Sequence, residues 1–197
     1  MEVKLSELTG NEIYKLMNCM IVPRPIAWVT TLSEEGIVNL APFSNFNIVC
    51  FEPPLLGMNV NFKSDGSLKD TARNARARGE LVVHIADETL LSQVHDSAVP
   101  HPADVSEAEL LGLQLAPSVE ITTPRLRDAP LAMECKLHQV LSLGAKAEFV
   151  ISRIVRVHAR EGLMKDYKID TNALRPLARL AGPNYAGIGQ VISKAGA

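Results

Sequence analysis

The sequence predicts an antiparallel β-barrel with helical insertions, and three observations carry that prediction. Strand-like runs arrive as hairpins and do not alternate regularly with helices, which argues against a doubly wound parallel sheet. The 197 residues, 47% of them hydrophobic, suffice for one domain with a sizeable core, or for a smaller one with an attached extension. Neither a GxGxxG behind a strand nor a Walker-type phosphate loop occurs, so the common nucleotide-binding α/β folds have no support.

Residues 5–20 predict a helix: Ser6 or Thr9 can cap it, and Ile13, Leu16 and Met17 fall at i, i+3 and i+4. Pro23-Arg24-Pro25 forces an extended path into a strand over 26–32. The polar turn Ser33-Glu34-Glu35-Gly36 leads to a second strand, 37–40, that breaks at Ala41-Pro42. Phe43-Ser44-Asn45-Phe46-Asn47 then sets hydroxyl and amide groups among aromatics, a surface suited to a planar ligand with a polar rim. A third strand is expected over 55–60 and a polar loop over 61–66. A short helix over 67–79 has Ser67 as its N-cap and Gly79 as its terminal glycine. Residues 80–86 read as a buried strand, 88–94 as a helix, 96–105 as a loop and 106–112 as a short capped helix. Strands return at 132–140 and 147–158, with a turn or bulge at 141–144. A C-terminal extension of the single domain 1–197 starts at about 165 and includes a glycine-rich loop at 182–189.

The net charge is −2, from 20 basic and 22 acidic residues, so no basic excess exists to hold a nucleic-acid backbone. Cys19, Cys50 and Cys135 are widely spaced and form no CxxC, which fits free thiols in a reducing cytoplasm. The N-terminal MEVKLSELTG lacks the apolar core of a signal peptide, and no apolar run approaches the roughly 20 residues that span a bilayer. The expectation is a soluble cytoplasmic protein with neither nucleic acid nor membrane as partner. His84, His95, His101, His138 and His158 show no HxH or HExxH spacing, and no GxSxG elbow occurs, so no metal site and no catalytic side chain is assigned. His84 lies in an apolar strand and is read as packed there.

Binding chemistry concentrates in two places. Lys69-Asp70-Thr71 opens the helix over 67–79, where unpaired N–H groups, the helix dipole, a lysine and a hydroxyl make an anion seat. The same triplet also suits a plain solvated helix start. Thr30 and Thr31, adjacent near a turn, can offer hydroxyls to one ligand edge, and Asn39, Ser44 and Asn45 add further polar groups. Strand threonines and turn asparagines are commonly structural, so each signal alone is weak. Together, a polar-rimmed platform and an anion seat about 30 residues later call for a planar aromatic ligand that carries a phosphate.

In Arg24-Pro25-Ile26-Ala27-Trp28-Val29-Thr30-Thr31, Asn39-Leu40-Ala41-Pro42-Phe43-Ser44, Glu52-Pro53-Pro54 and Lys69-Asp70-Thr71-Ala72-Arg73-Asn74, the chain resembles the flavin reductase-like, FMN-binding split-barrel family, which includes flavoredoxin-type proteins. Weaker echoes at 80–85, 107–115, 130–135 and 175–179, with Tyr185, extend the match in order over most of the chain. The resemblance implies a mainly β fold with α insertions: a six-stranded Greek-key split barrel working as a homodimer, with FMN near the subunit interface. It implies that Thr30, Thr31 and Asn39 face the isoalloxazine edge, that Ala41, Ser44 and Asn45 lie along the flavin, and that Lys69, Asp70 and Thr71 meet the phosphate. Arg179 and Tyr185 would close the site.

The activity so implied is FMN-dependent oxidoreduction, with NADH or NADPH as electron donor and flavin or another small molecule as acceptor; the chemistry then belongs to the cofactor. A non-catalytic flavin or electron carrier, and a split barrel binding a ligand without redox chemistry, are the alternatives.

Overall fold

The computed structural model describes residues 2–194. The chain opens with a 3-10 turn, Leu5–Glu7, and helix α1 (Gly10–Met20). Thr9 caps α1: its hydroxyl accepts from the Glu12 amide at 3.3 Å, while the Glu12 carboxylate accepts from the Thr9 amide at 2.8 Å. There follow β1 (Arg24–Pro25), β2 (Ala27–Leu32), β3 (Val38–Phe43), β4 (Phe46–Cys50), β5 (Leu55–Asn61), α2 (Asp70–Arg78) and β6 (Glu80–Ile85). A 3-10 turn at Glu88–Leu90 leads into α3 (Leu91–Asp96), then α4 (Glu107–Leu110), β7 (Leu115–Ala116) and β8 (Arg125–Leu126). The long hairpin of β9 (Leu131–Leu143) and β10 (Ala147–Ala159) precedes β11 (Met164–Lys165), β12 (Lys168–Ile169), α5 (Thr171–Leu174), β13 (Ala178–Arg179) and β14 (Tyr185–Ala186).

Seven strands form one antiparallel sheet in the order β3-β2-β6-β9-β10-β5-β4. Its two edges, β3 and β4, are consecutive in the chain and joined only by Ser44-Asn45. Phe43 and Phe46 can therefore be no more than about 11 Å apart, so the sheet must curl until its edges approach. The Asn45 carbonyl accepts from the Asn59 amide of β5 at 2.8 Å, yet β3 and β4 do not pair. The result is a barrel split along one seam, as expected. The sheet has one strand more than the resemblance implied: residues 46–50, to which no strand is assigned from the sequence, form the edge strand β4.

Both faces of β2 are covered, which explains its unalternated sequence AWVTTL. Ala27 and Val29 face an inner core with Phe43, Met58, Leu81 and Val150, to which α2 adds Ala72 and Ala75. Ile26 and Trp28 face an outer layer with Leu40, Val94, Ala108, Leu126 and Leu177. The second strand runs through Pro42 instead of breaking at 41–42. On an edge strand this loses no ladder bond. The Leu40 amide already points away from β2, to the Glu107 carboxylate at 2.9 Å, and Pro42 falls on the same side two residues later.

Two further departures shape the site. Helix α2 begins at Asp70, not at 67, because the Ser67 hydroxyl and amide are both held by Asp65, at 2.6 and 2.9 Å. Lys69 is left as an N-cap without a side-chain cap, while Gly79 ends the helix at φ +70° as expected. The glycine-rich 182–189 segment is not loop throughout. β13 and β14 form a hairpin turning at Gly182, φ +62°, and β13 pairs with β1, tying the C-terminal segment to the Pro-Arg-Pro corner.

Candidate functional site

Strand β3 organises the site, because side chains on its two sides meet different partners. On one side, Asn39 reaches α2. Its side-chain amide donates to the Thr31 hydroxyl at 3.2 Å and to the Thr71 hydroxyl at 2.9 Å, and the Asn74 amide also donates to Thr31, at 3.3 Å. All four residues are buried. The structure thus brings Thr31, Asn39 and Thr71 together, but as a hydrogen-bonded lock between hairpin and helix. Thr30 is separated from them. Neighbouring strand residues point to opposite faces, and the Thr30 hydroxyl donates to the Pro124 carbonyl at 2.7 Å in the outer layer. The adjacent threonines do not share one edge.

At the start of α2 the amides of Asp70 and Thr71 have no intrahelical acceptor. Asp70 lies between two cations, 3.0 Å from Lys63 and 2.6 Å from Arg73. Lys69 stands 5.9 Å above the Phe43 ring, at the end of β3. Lys63 and Arg73 are matched by carboxylates, but Lys69 has no such partner among the described residues, so an anion can be met by Lys69 and by open helix amides together. These residues suit the phosphate of a flavin mononucleotide, with Ala41, Ser44 and Asn45 continuing the wall along β3 and the Ser44-Asn45 linker.

On the other side of β3 lies a cavity of about 460 Å³. Pro42 and Ser44 form one wall, α1 contributes Tyr14 and Lys15, α3 contributes His95, and the C-terminal hairpin brings Arg179 and Tyr185. Arg179 packs over the Tyr185 ring at 4.5 Å and donates to the Gly182 carbonyl at 2.5 Å, while His95 Nδ1 lies 3.2 Å from the Tyr185 hydroxyl. Of the expected residues, Ser44, Arg179 and Tyr185 therefore share one cavity. The sequence reading left Lys15, Arg24 and His95 unassigned. Arg24 carried a usable signal, a lone arginine between two prolines at a strand start, far from any acidic residue in sequence.

The frame beneath is held by buried ionisable groups. His84 is fully buried; its Nε2 accepts from the Leu126 amide at 2.9 Å, so its Nδ1 carries the proton and donates to the Trp28 carbonyl at 2.8 Å. Burial pushes its pKa down to about 4, keeping the ring neutral. Glu134 is also buried, which alone would raise its pKa. Hydrogen bonds from His158 and from the Glu120 and Val119 amides outweigh that and hold the carboxyl below its ordinary value. Glu107, with the Leu40 amide as its hydrogen-bond donor, is raised by burial.

A family model described as flavin reductase like domain matches residues 17–176. An uncharacterised protein of Halalkalibacterium halodurans is 42% identical over 198 residues, covering 98% of this chain and 95% of its own. Among solved structures, nitrilotriacetate monooxygenase component B of Bacillus cereus is 39% identical, with 98% of each chain covered and a TM-score of 0.95. The 2-nitrobenzoate 2-nitroreductase NbaA of Pseudomonas fluorescens is 32% identical, with 100% of this chain and 98% of that one covered and a TM-score of 0.89.

Proposed function

The chain belongs to the flavin reductase-like family and is a flavin-linked oxidoreductase; from that premise we propose that it binds FMN along the open edge of β3 and passes electrons from NADH or NADPH to a flavin or another small acceptor. The observation that carries this reading is the start of α2: an uncapped helix terminus whose Lys69 has no carboxylate partner among the described residues, at the end of an edge strand with a polar rim. When bound, FMN supplies the redox chemistry. Lys69 and the α2 amides hold the phosphate. Ala41, Ser44 and Asn45 flank the flavin, and the Thr31–Asn39–Thr71 lock keeps hairpin and helix at fixed separation. No side-chain acid or base is assigned.

The relatives support the chemistry by their names alone, one as a monooxygenase component and one as a nitroreductase. We assign the working form as a homodimer. Edge strand β4 and the turn after it leave Ile48, Val49 and Phe51 uncovered, Phe51 at 83% exposure, and α1 adds Met17, Met20 and Ile21. Among the described residues no helix is long and apolar enough to cross a membrane, and three free cysteines fit a cytoplasmic setting.

Titration of the apo protein with FMN and with riboflavin tests the site. Lys69→Glu should weaken FMN by about 30-fold and riboflavin by less than threefold, since only FMN brings a phosphate to the reversed charge. Equal weakening of both ligands removes the phosphate from α2. Anaerobic mixing of the FMN-loaded protein with NADH or NADPH should bleach the flavin; an unchanged spectrum with both rules out the reductase.

A further inference from the structure

We propose that the cavity between α1, the β3–β4 junction and the C-terminal hairpin binds a small aromatic carboxylate beside the flavin groove. The proposal rests on the flavin reading, because Ser44, which that reading sets along the flavin, also lines this cavity.

Arg24 carries the argument. It is 6% exposed. Its Nε donates to the Ser44 hydroxyl at 3.3 Å, its Nη1 to the Asn18 and Ile21 carbonyls at 2.6 and 3.0 Å, and its Nη2 to the Leu180 carbonyl at 3.3 Å. All four acceptors are neutral oxygens. Among the described residues Arg24 has no carboxylate partner, and neither have Lys15 and Arg179. Hydrogen bonds to dipoles satisfy its donors but bring no counter-charge, so an anion entering the cavity gains from its field.

The rest of the lining agrees. No aspartate or glutamate lines the cavity, so three cations act on its interior unopposed. A second, arginine-lined cleft differs: Asp128 and Glu161 line it, and its Arg160 already pairs with Asp87 at 3.2 Å. The body of the cavity favours a ring. Ile26, Pro42 and Leu180 supply apolar surface, and Tyr185 is held edge-on to His95 with centroids 5.9 Å apart. A volume of about 460 Å³ is near the small end of the roughly 300–1,000 Å³ typical of small-molecule sites, which suits a one-ring acid better than a whole dinucleotide.

Calorimetric titration of the protein, with and without FMN, using benzoate and its neutral isostere benzamide, tests this. Benzoate should bind at least tenfold tighter than benzamide. Arg179→Gln should weaken benzoate about tenfold and leave benzamide unchanged, and Lys15→Gln should weaken benzoate severalfold. Arg24 is left intact because its loss would unfasten α1 from the C-terminal hairpin. Equal affinity for the two probes, no benzoate binding, or indifference to Arg179→Gln overturns the proposal. So does displacement of benzoate by ADP-ribose, which would give the cations to a dinucleotide phosphate, or by FMN but not riboflavin, which would give them to the cofactor phosphate. The FMN titration is read separately by flavin fluorescence. A protein that binds benzoate but no FMN therefore sinks the flavin reading and not the anion site.

Discussion

The Thr31–Asn39–Thr71–Asn74 cluster and the Arg24 cavity lie on opposite sides of strand β3, and they treat buried polarity in opposite ways. In the cluster, the hydroxyls and amides find partners within the chain, at 2.9 to 3.3 Å. In the cavity, three cations line a space to which the described residues bring no carboxylate. The first arrangement is complete without a ligand and holds the fold together. The second is incomplete until an anion arrives, and that marks it as a place where something binds. Polar groups in both regions would look alike in a list of binding residues, and both find hydrogen-bond partners in the chain; the missing counter-charge tells them apart.

The largest effect should come from breaking the complete side. Asn39→Ala removes the donor shared by Thr31 and Thr71, leaving Thr71 without that partner and Thr31 with the Asn74 amide alone. A loss of about 2–4 kcal/mol in urea unfolding is expected. A loss below 1 kcal/mol would mean that the cluster is loose and that its groups are available to a ligand after all.

The next effect is a dependence on pH. His84 belongs to the completed part of the molecule, since both ring nitrogens are used. Its pKa falls from 6.5 in the unfolded chain to about 4 in the fold, a difference of about 2.5 units or roughly 3 kcal/mol. The unfolded chain binds this proton first. Stability from the neutral ring is therefore full above pH 6.5 and is lost as pH falls towards 4. Unfolding free energies measured between those limits should decline for the native chain and be flatter for His84→Gln. Equal slopes would remove His84 as the cause. Glu134, held below its ordinary carboxylate value, adds a second loss only at the acid end of that range.

The same contrast explains what was legible in the sequence. The strands around 26–32, 55–60 and 80–86 were readable because they are rich in apolar and β-branched residues that the fold buries. β4 was missed because a half-exposed edge strand before Pro53-Pro54 carries little periodic signal. Thr31 and Asn39 were legible as polar groups of one platform, and Thr71 as part of a separate anion seat. That they bond to each other depends on α2 packing across the hairpin, a contact 32 positions apart in the chain. That the Thr30 and Thr31 hydroxyls do not share one edge could have been read from the sequence, since strand alternation alone sends them to opposite faces. The Arg24 cavity was least legible. A missing counter-charge depends on which carboxylates come near in space, and the two facing walls are joined only when β13 pairs with β1.

The smallest expected effect is the sharpest test of the contrast. Arg179→Gln removes a cation that the fold does not pair. It forfeits the contact with the Tyr185 ring and one bond to the Gly182 carbonyl at a partly exposed site, together worth about 0.5–1 kcal/mol. It also relieves repulsion among Lys15, Arg24 and Arg179, which works in the other direction. The two should nearly cancel, leaving stability within about 0.5 kcal/mol of the native chain and the thermal midpoint within about 2 °C. Lys15→Gln, at an exposed helix position, should change the midpoint no more. If either substitution destabilises the protein as much as Asn39→Ala does, the cations are part of the framework, and the cavity loses its claim to be the open side of the strand.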